Sequence, residues 1–283
     1  MQATQSMKMA NLYVVSTPIG NLGDITERAV QVLQQVDLIC CEDTRHSARL
    51  LEHIGCKKPL MSLHEHNERD RSAMIVEKLR AGQSIALVSD AGTPLISDPG
   101  YVLVNEVIAA GLRVIPVPGP SAVITALSVS GLPTDRWVFE GFLPHKQGAR
   151  IKALESVAGM TQTLVFYESS HRIEDSLEDM VGVFGGERSA CVARELTKTF
   201  ETVLRGTLAD LVLQVKVDAN QRKGEFVVMV AGAQKTDVEQ VSPDMLTLAK
   251  ELKPLLPPKK AAAVIANVYG GSKKSYYELI LSL

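Results

Sequence analysis

The sequence lacks the cysteine spacings that are typical of zinc sites and redox motifs. It has four cysteines among 283 residues, and none of them belongs to a CxxC pair. Three of them lie in apolar surroundings, so we interpret them as reduced packing residues of a cytoplasmic protein. The net charge is only −2, so any surface that binds nucleic acid has to be local.

Long apolar segments are also absent. The first nine residues are polar, so we do not expect a signal peptide there. The longest charge-free stretch, residues 114–134, is interrupted by proline and glycine, so we expect no membrane span. A hydrophobic content of 46% and a charged content of 22% are ordinary for a globular protein, and the length favours two domains.

Several catalytic motifs are missing. There is no nucleophile elbow and no cysteine context typical of covalent catalysis, which disfavours hydrolysis through a covalent intermediate. Neither the GxGxxG fingerprint nor a phosphate-binding GK[ST] loop is present, which disfavours a dehydrogenase.

The first half of the chain alternates short apolar runs with amphipathic stretches. This pattern predicts a parallel, doubly wound α/β sheet. Asp24 and Glu27 have the spacing of a capping box for the first helix, and the third helix is expected to begin near Arg71. The predicted strands cover residues 12–17, 37–41, 59–63, 85–88 and 113–117.

The second half alternates less regularly. Three strands after Gly185 are separated by short links, which predicts antiparallel pairing in a mixed α+β domain. From residue 237 on, helical patterns are joined by Pro and Gly breaks. We therefore predict an N-terminal α/β domain (1–131), a C-terminal α+β domain (132–236) and a small helical basic extension (237–283).

The loop after the fourth strand has an unusual composition. Asp90 to Gly100 contains two Asp, two Gly and two Pro, so it can hold one defined shape, in which Asp90 and Asp98 either cap turns or belong to a ligand site. Loops rich in Pro and Gly also follow the first and fifth strands, where Ser121 is the expected N-cap of the next helix. Open α/β sheets bind ligands beyond the carboxyl ends of their strands, so these loops predict a ligand site.

Polar clusters follow two further strands. Glu42, Asp43 and Arg45 either line that site or form a surface ion network. His64 and His66 have the spacing of a metal pair, but no further ligand stands at a suitable distance, so we predict no metal site.

Basic residues occur at three places in the second half. Arg172 and Arg194 follow apolar strands and either clamp phosphates or pair with glutamates of the protein. Between Lys250 and Leu283 there are six lysines against two glutamates, which fits either a solvated helix face or a phosphate backbone.

Taken together, these runs resemble the bacterial 16S ribosomal RNA ribose-2′-O-methyltransferases, a family of the tetrapyrrole-methylase-like class of S-adenosylmethionine enzymes. The resemblance extends from Leu12 to about Val230. The stretches that carry it are 17–26, 42–45, 88–94, 98–100, 118–120, 140–144, 166–169, 193–198 and 223–225.

The resemblance implies a two-domain tetrapyrrole-methylase-like fold, S-adenosylmethionine as methyl donor, and a homodimer. The acceptor it implies is the ribose 2′-hydroxyl of a cytidine in the decoding centre of 16S ribosomal RNA, within the 30S subunit. The donor-site residues that it implies are Pro18, Asp90, Ala91, Gly92, Thr93, Ile96, Ser121, Ala122, Tyr167 and Ala193.

Other roles stay open at this point. By their strand-end position, the candidates for a general base are Glu42, Asp43, His64 and Glu65. Two alternative functions are a small-molecule methyltransferase acting on a tetrapyrrole and a nucleotide-binding regulatory module without chemistry. The candidate RNA-binding residues are Arg45, Arg69, Arg71, Arg172, Arg194, Lys259, Lys260, Lys273 and Lys274.

Overall fold

The structure is a computed structural model that describes residues 10–64, 66–234 and 242–283. The chain forms two compact units, one ending at Gly232 and one beginning at Ala233. The predicted boundary at residues 236 and 237 lies outside the described residues. The division of the first 236 residues into two domains stays a prediction.

The first unit begins with a five-stranded sheet whose pairings are all parallel. The strand order is β3-β2-β4-β1-β5, which confirms the predicted doubly wound sheet. Its strands and helices are β1 (Asn11–Val15), α1 (Glu27–Gln35), β2 (Leu38–Cys41), α2 (Thr44–His53), β3 (Leu60–Ser62), α3 (Glu68–Arg80), β4 (Ile85–Leu87), α4 (Tyr101–Ala109), β5 (Arg113–Val117) and α5 (Ala122–Ser130).

A second five-stranded sheet follows in the order β6-β7-β10-β8-β9. Strands β6 and β7 pair in parallel, and the other pairings are antiparallel, as predicted for a mixed sheet. Its elements are β6 (Trp137–Phe142), α6 (Gln147–Val157), β7 (Thr163–Ser169), α7 (Ile173–Phe184), β8 (Ser189–Arg194), β9 (Thr202–Thr207), α8 (Leu208–Val217) and β10 (Glu225–Val230).

The apolar core lies on both faces of each sheet. In the first sheet, α3 and α4 pack on one face, where Ile75 and Leu103 are fully buried, and α1 packs on the other through Leu33. In the second sheet, α6, α7 and α8 cover one face. The other face is covered by α5, whose Val123 and Leu127 pack with residues of β7, β8 and β10. Helix α5 therefore joins the two sheets and fixes where their edges meet.

Two predicted helix starts were wrong. The N-cap of α1 is Thr26, whose hydroxyl accepts from the backbone N–H of Ala29 at 3.1 Å, while Asp24 ends a separate 3₁₀ turn. Helix α3 begins at Glu68 rather than near Arg71. Helix α1 begins at its Thr cap, whereas the N-cap residue of α3, Asn67, makes no side-chain capping bond in the described part of the chain.

The second unit contains three helices: α9 (Pro243–Leu252), α10 (Pro258–Tyr269) and α11 (Lys273–Ser282). They surround a small core that includes Ala249, Ile265, Tyr276 and Ile280. The helices agree with the predicted helical extension. Within the described residues, no helix has both the length and the apolar character needed to cross a membrane.

Candidate functional site

A cavity of about 450 Å³ lies in the first unit, where the loops after β4 and β5 face the second sheet. Its volume is within the range of small-molecule sites. One wall is the loop after β4, and the opposite wall comes from β7, β8 and β10. The lining residues are Ile19, Asp90, Ala91, Gly92, Thr93, Ile96, Ser97, Asp98, Ser121, Ala122, Phe142, Tyr167, Glu168, Ser169, Ser170, Ala193, Leu196, Gly224, Glu225, Phe226 and Val227.

Hydrogen bonds join three strand-end loops at the cavity. The backbones of Thr17 and Gly92 exchange two hydrogen bonds, at 2.8 and 3.1 Å, which link the loops after β1 and β4. The Thr93 hydroxyl donates to the carbonyl of Pro120 at 3.0 Å and lies 2.9 Å from the Ser16 hydroxyl. The three Pro/Gly loops therefore form one connected wall.

Backbone strain is concentrated beside this cavity. In the described part of the chain, the non-glycine residues with positive φ are Leu95, Ser97, Glu195 and Thr197, with φ of 73°, 65°, 50° and 67°. The first two lie in the loop after β4, and the other two follow β8. Such conformations cost free energy and persist where the surrounding structure imposes them, which is common at functional sites.

Glu68 holds the far end of the loop after β4. Its side chain is buried, and its Oε1 accepts from the backbone N–H groups of Gly100, Val102 and Leu103 at 3.0, 2.8 and 3.2 Å. These groups belong to the first turn of α4, where a carboxylate is favoured by the helix dipole. This role of Glu68 was not predicted from the sequence, because its partners lie more than thirty positions away along the chain.

Aromatic rings line the wall that belongs to the second sheet. The ring of Tyr167 lies 4.9 Å from that of Phe139 and 5.4 Å from that of Phe142. Burial raises the pKa of Tyr167 to about 12, and the charge of Asp98 acts in the same direction. The phenol therefore stays neutral at physiological pH. Phe142 is 54% exposed, so it offers an apolar face to a ligand.

Acidic groups occupy the wall that belongs to the first sheet. Asp90 accepts from the backbone N–H of Asp43 at 3.1 Å. Burial, which is the largest cause, and the nearby charges of Glu42 and Asp90 together raise the pKa of Asp98 to about 6, although a hydrogen bond from Ser89 acts in the opposite direction. In the sequence Asp98 is either a turn cap or part of a ligand site, and the resemblance does not place it among the donor-site residues.

The four candidates for a general base lie in different environments. Asp43 is the N-cap of α2 and pairs with Arg45, and these hydrogen bonds lower its pKa to about 2, which makes it a weak proton acceptor. The negative charge of Glu42 contributes to the raised pKa of Asp98, so Glu42 lies near the cavity. Glu65 lies outside the described residues. His64 has its Nε2 3.0 Å from the Asn67 side-chain amide.

The histidine pair does not form part of a metal cluster within the described residues. The rings of His64 and His66 lie 6.0 Å apart. Over residues 10–64, 66–234 and 242–283, no group of three or more His, Cys, Asp or Glu side chains has the arrangement of a metal site.

All of the predicted donor-site residues except Pro18 line the cavity. Ile19, the residue after Pro18 in the sequence, lines the cavity instead. Ser121 stands at the N-cap of α5, but its side chain makes no capping bond within the described part of the chain. Of the twelve lining residues that were not predicted, five lie in residues 140–144 and 223–227. Residues 140–144 and 223–225 are among the stretches that carry the family resemblance, but the resemblance did not assign them to the donor site.

Two of the predicted RNA-binding arginines have acceptors inside the protein. Arg194 is buried, and its guanidinium donates to the carbonyls of Lys223 and Phe200 at 2.7 and 3.0 Å. Arg172 pairs with Glu168 at 2.9 Å and donates to the Leu143 carbonyl at 2.7 Å. Arg172 therefore pairs with a glutamate, as the alternative expected, whereas the acceptors of Arg194 are backbone carbonyls. Because both guanidinium groups are engaged inside the protein, we do not include them in the proposed RNA surface.

The remaining basic candidates are accessible to different degrees. The Arg45 side chain is 90% exposed, and Arg71 is half-buried. The exposed members of the set are Arg45, Arg69, Lys259, Lys260, Lys273 and Lys274.

The fold and the position of the cavity define the class of protein. The family model described as "Tetrapyrrole (Corrin/Porphyrin) Methylases" matches residues 11–212. A solved structure of cobalt precorrin-4 methyltransferase, a cobalamin biosynthetic enzyme, aligns with a TM-score of 0.58 over 81% of this chain and 98% of that one, at 15% identity. A structure of diphthine synthase aligns with a TM-score of 0.57 over 78% and 90% of the two chains, also at 15% identity.

Closer sequence relatives define the family. The "Ribosomal RNA small subunit methyltransferase I" of Xylella fastidiosa is 54% identical over 94% of this chain and 97% of its own length. The protein of the same name from Escherichia coli O157:H7 is 52% identical over 95% and 94%. The chain belongs to the family of the ribosomal RNA small subunit methyltransferases I, and it is a methyltransferase. The resemblance noted from the motifs is confirmed.

Proposed function

We propose that this methyltransferase transfers a methyl group from S-adenosylmethionine to the ribose 2′-hydroxyl of a cytidine in the decoding centre of 16S ribosomal RNA. We place the reaction in the cytoplasm, with a homodimer acting on the 30S subunit. The observation that carries the proposal is the cavity at the joined strand-end loops, on which nearly all of the donor-site residues implied by the motifs lie.

The chemistry of the cavity fits the donor. S-adenosylmethionine carries a cationic sulfonium and an ammonium group beside an adenosine. The carboxylate of Asp90 suits the cationic part, and apolar groups at Ile19, Phe142 and Leu196 suit the aromatic faces of the base. When it is bound, S-adenosylmethionine supplies a methyl group that its own positive charge has already activated.

The protein's contribution is mainly positioning. The Thr17–Gly92 and Thr93–Pro120 hydrogen bonds hold the donor wall, and α5 ties that wall to the second sheet. A wall fixed in this way keeps the bound groups in reactive orientation, which supplies a large part of the rate enhancement of an in-line displacement.

A methyl-transfer assay tests this proposal against its alternatives. Labelled S-adenosylmethionine is supplied with 30S subunits that lack the modification, with naked 16S ribosomal RNA, or with a tetrapyrrole. We expect label in the RNA. Label in the tetrapyrrole alone would favour the small-molecule methyltransferase, and donor binding without transfer to any acceptor would favour the regulatory module.

We further propose that the basic second unit contributes contacts to the RNA backbone. Lys273 and Lys274 are exposed at the start of α11. Binding through phosphates releases counterions, so affinity should fall steeply with salt. We expect the double variant Lys273→Ala/Lys274→Ala to bind 30S subunits more weakly and to reduce the slope of log affinity against log salt by about 1.5.

The control variant for this experiment is Lys57→Ala/Lys152→Ala, which removes the same charge at exposed positions of the first unit. We expect it to keep the wild-type salt slope. Equal slopes for wild type and the Lys273/Lys274 variant would remove these lysines from the RNA surface. The measurement is filter binding of 30S subunits over a series of salt concentrations.

A further inference from the structure

Asp98 occupies a fixed position on the wall of the cavity. It lines the same space as Asp90, Ser121 and Tyr167. The residue before it, Ser97, has a φ of 65°, and the residue after it is Pro99, whose ring fixes φ. The backbone on both sides is therefore restrained, which limits the directions that the Asp98 carboxylate can take.

The surroundings of Asp98 favour a carboxylate that readily takes up a proton. The largest charge effects on it come from Glu42 and Asp90, which are also acidic, whereas the single hydrogen bond from Ser89 acts in the opposite direction by stabilising the charged form. Tyr167, on the facing wall, is a neutral phenol. Burial and like charges favour the protonated form of a carboxyl group.

The other carboxylates of the cavity have stronger partners. Glu168 accepts from the Ser176 hydroxyl at 2.6 Å and pairs with Arg172. Glu225 pairs with Lys198 at 3.0 Å. Both glutamates are therefore already held by cationic side chains of the protein, whereas Asp98 has acidic neighbours.

We propose that Asp98 is the catalytic residue that accepts the proton of the hydroxyl group being methylated. The inference rests on the function proposed above. In this step the 2′-oxygen forms a bond to the methyl carbon as its proton passes to a carboxylate oxygen of Asp98. The carbon–sulfur bond breaks, and its electron pair stays on sulfur, which becomes a neutral thioether. Asp98 then returns the proton to water.

The test is the pH dependence of methyl transfer to 30S subunits by the wild type and by Asp98→Asn. For the wild type, kcat/KM for the donor should fall tenfold per pH unit below about 6, because the protonated carboxyl cannot accept a proton. Asp98→Asn should be at least a hundredfold slower at pH 7.5 and should lose this acid limb. Persistence of the limb in Asp98→Asn would overturn the proposal.

Equilibrium binding gives a readout that does not depend on activity. If Asp98 accepts the proton, Asp98→Asn should bind S-adenosylmethionine within threefold of the wild-type affinity. If Asp98 instead holds the cationic part of the donor, the variant should lose at least tenfold in affinity while its rate at saturating donor stays near wild type. That second pattern would overturn the proposal.

A second variant separates the two cavity aspartates. Asp90→Asn removes a neighbouring charge but keeps an oxygen that can accept from the Asp43 N–H. Asp90→Asn should retain the fall in kcat/KM at low pH. If that fall disappears in Asp90→Asn, Asp90 is the group that titrates, and the proposal for Asp98 is overturned. Failure of the wild type itself to methylate RNA would overturn the proposed function and this inference with it.

Discussion

Replacing Glu68 by alanine is expected to destabilise the first unit by about 3–5 kcal/mol. The substitution leaves three backbone N–H groups, those of Gly100, Val102 and Leu103, without their acceptor in a buried place. It also removes a negative charge from the N-terminus of α4. Unfolding in urea, followed by circular dichroism, measures the loss.

Two further variants serve as comparisons for Glu68→Ala. Glu68→Gln keeps a side-chain oxygen that can accept, so it should cost clearly less than alanine. Glu77→Ala removes an exposed glutamate of the same helix, whose ion pair with Arg80 is worth less than about 1 kcal/mol. A loss for Glu68→Ala no larger than that for Glu77→Ala would contradict the role of Glu68 in holding the loop.

Replacing Gly92 by valine is expected to abolish donor binding, with a loss of at least a hundredfold in affinity. Gly92 has a φ of 81°, which a β-branched residue adopts only at high cost, of about 2–3 kcal/mol. A side chain there would also meet Ile19 at 3.3 Å and the Pro120 carbonyl at 3.8 Å. Both contacts lie at the junction of the three loops, so the cavity wall would move.

The matched control is Gly82→Val. Gly82 has a similar φ of 89°, and an added Cβ there meets no atom within 4 Å among the described residues. It should lose stability through the same backbone strain and keep wild-type donor affinity. Calorimetric titration with S-adenosylmethionine checks both variants. Equal affinities for the two would show that the position of Gly92 in the wall does not matter for binding.

Much of the fold could be predicted because the first sheet is built from local patterns. Strand β2 is buried along its whole length, so it reads as a continuous apolar run. Each parallel strand is followed by a helix with an apolar face, and this alternation leaves few other arrangements. The site followed from the same rule, because the Pro/Gly loops stand at the carboxyl ends of parallel strands.

The parts that could not be predicted depend on contacts between distant residues. Glu68 and the first turn of α4 meet only after both helices have packed on the sheet. The burial of Arg194 depends on the carbonyls of Lys223 and Phe200, which its own sequence neighbourhood does not reveal. The sequence places Asp98 in the ligand-binding loop but does not show its acidic neighbours, because Glu42 comes from the end of another strand and Asp90 from the start of the same loop.

Short parallel strands place three stiff loops at one edge of the first sheet, and α5 brings the second sheet against them. Glu68 fixes the end of the central loop, and strain at Leu95 and Ser97 is retained next to the cavity. A rigid, acidic and partly apolar site of this kind suits a cationic methyl donor.

The central claim is tested most directly by identifying the methylated nucleotide. 30S subunits that lack the modification are incubated with the protein and labelled S-adenosylmethionine, and the RNA is digested to nucleosides. We predict label in 2′-O-methylcytidine. Label in a base-methylated nucleoside, or in no nucleoside while a tetrapyrrole is methylated, would contradict the account.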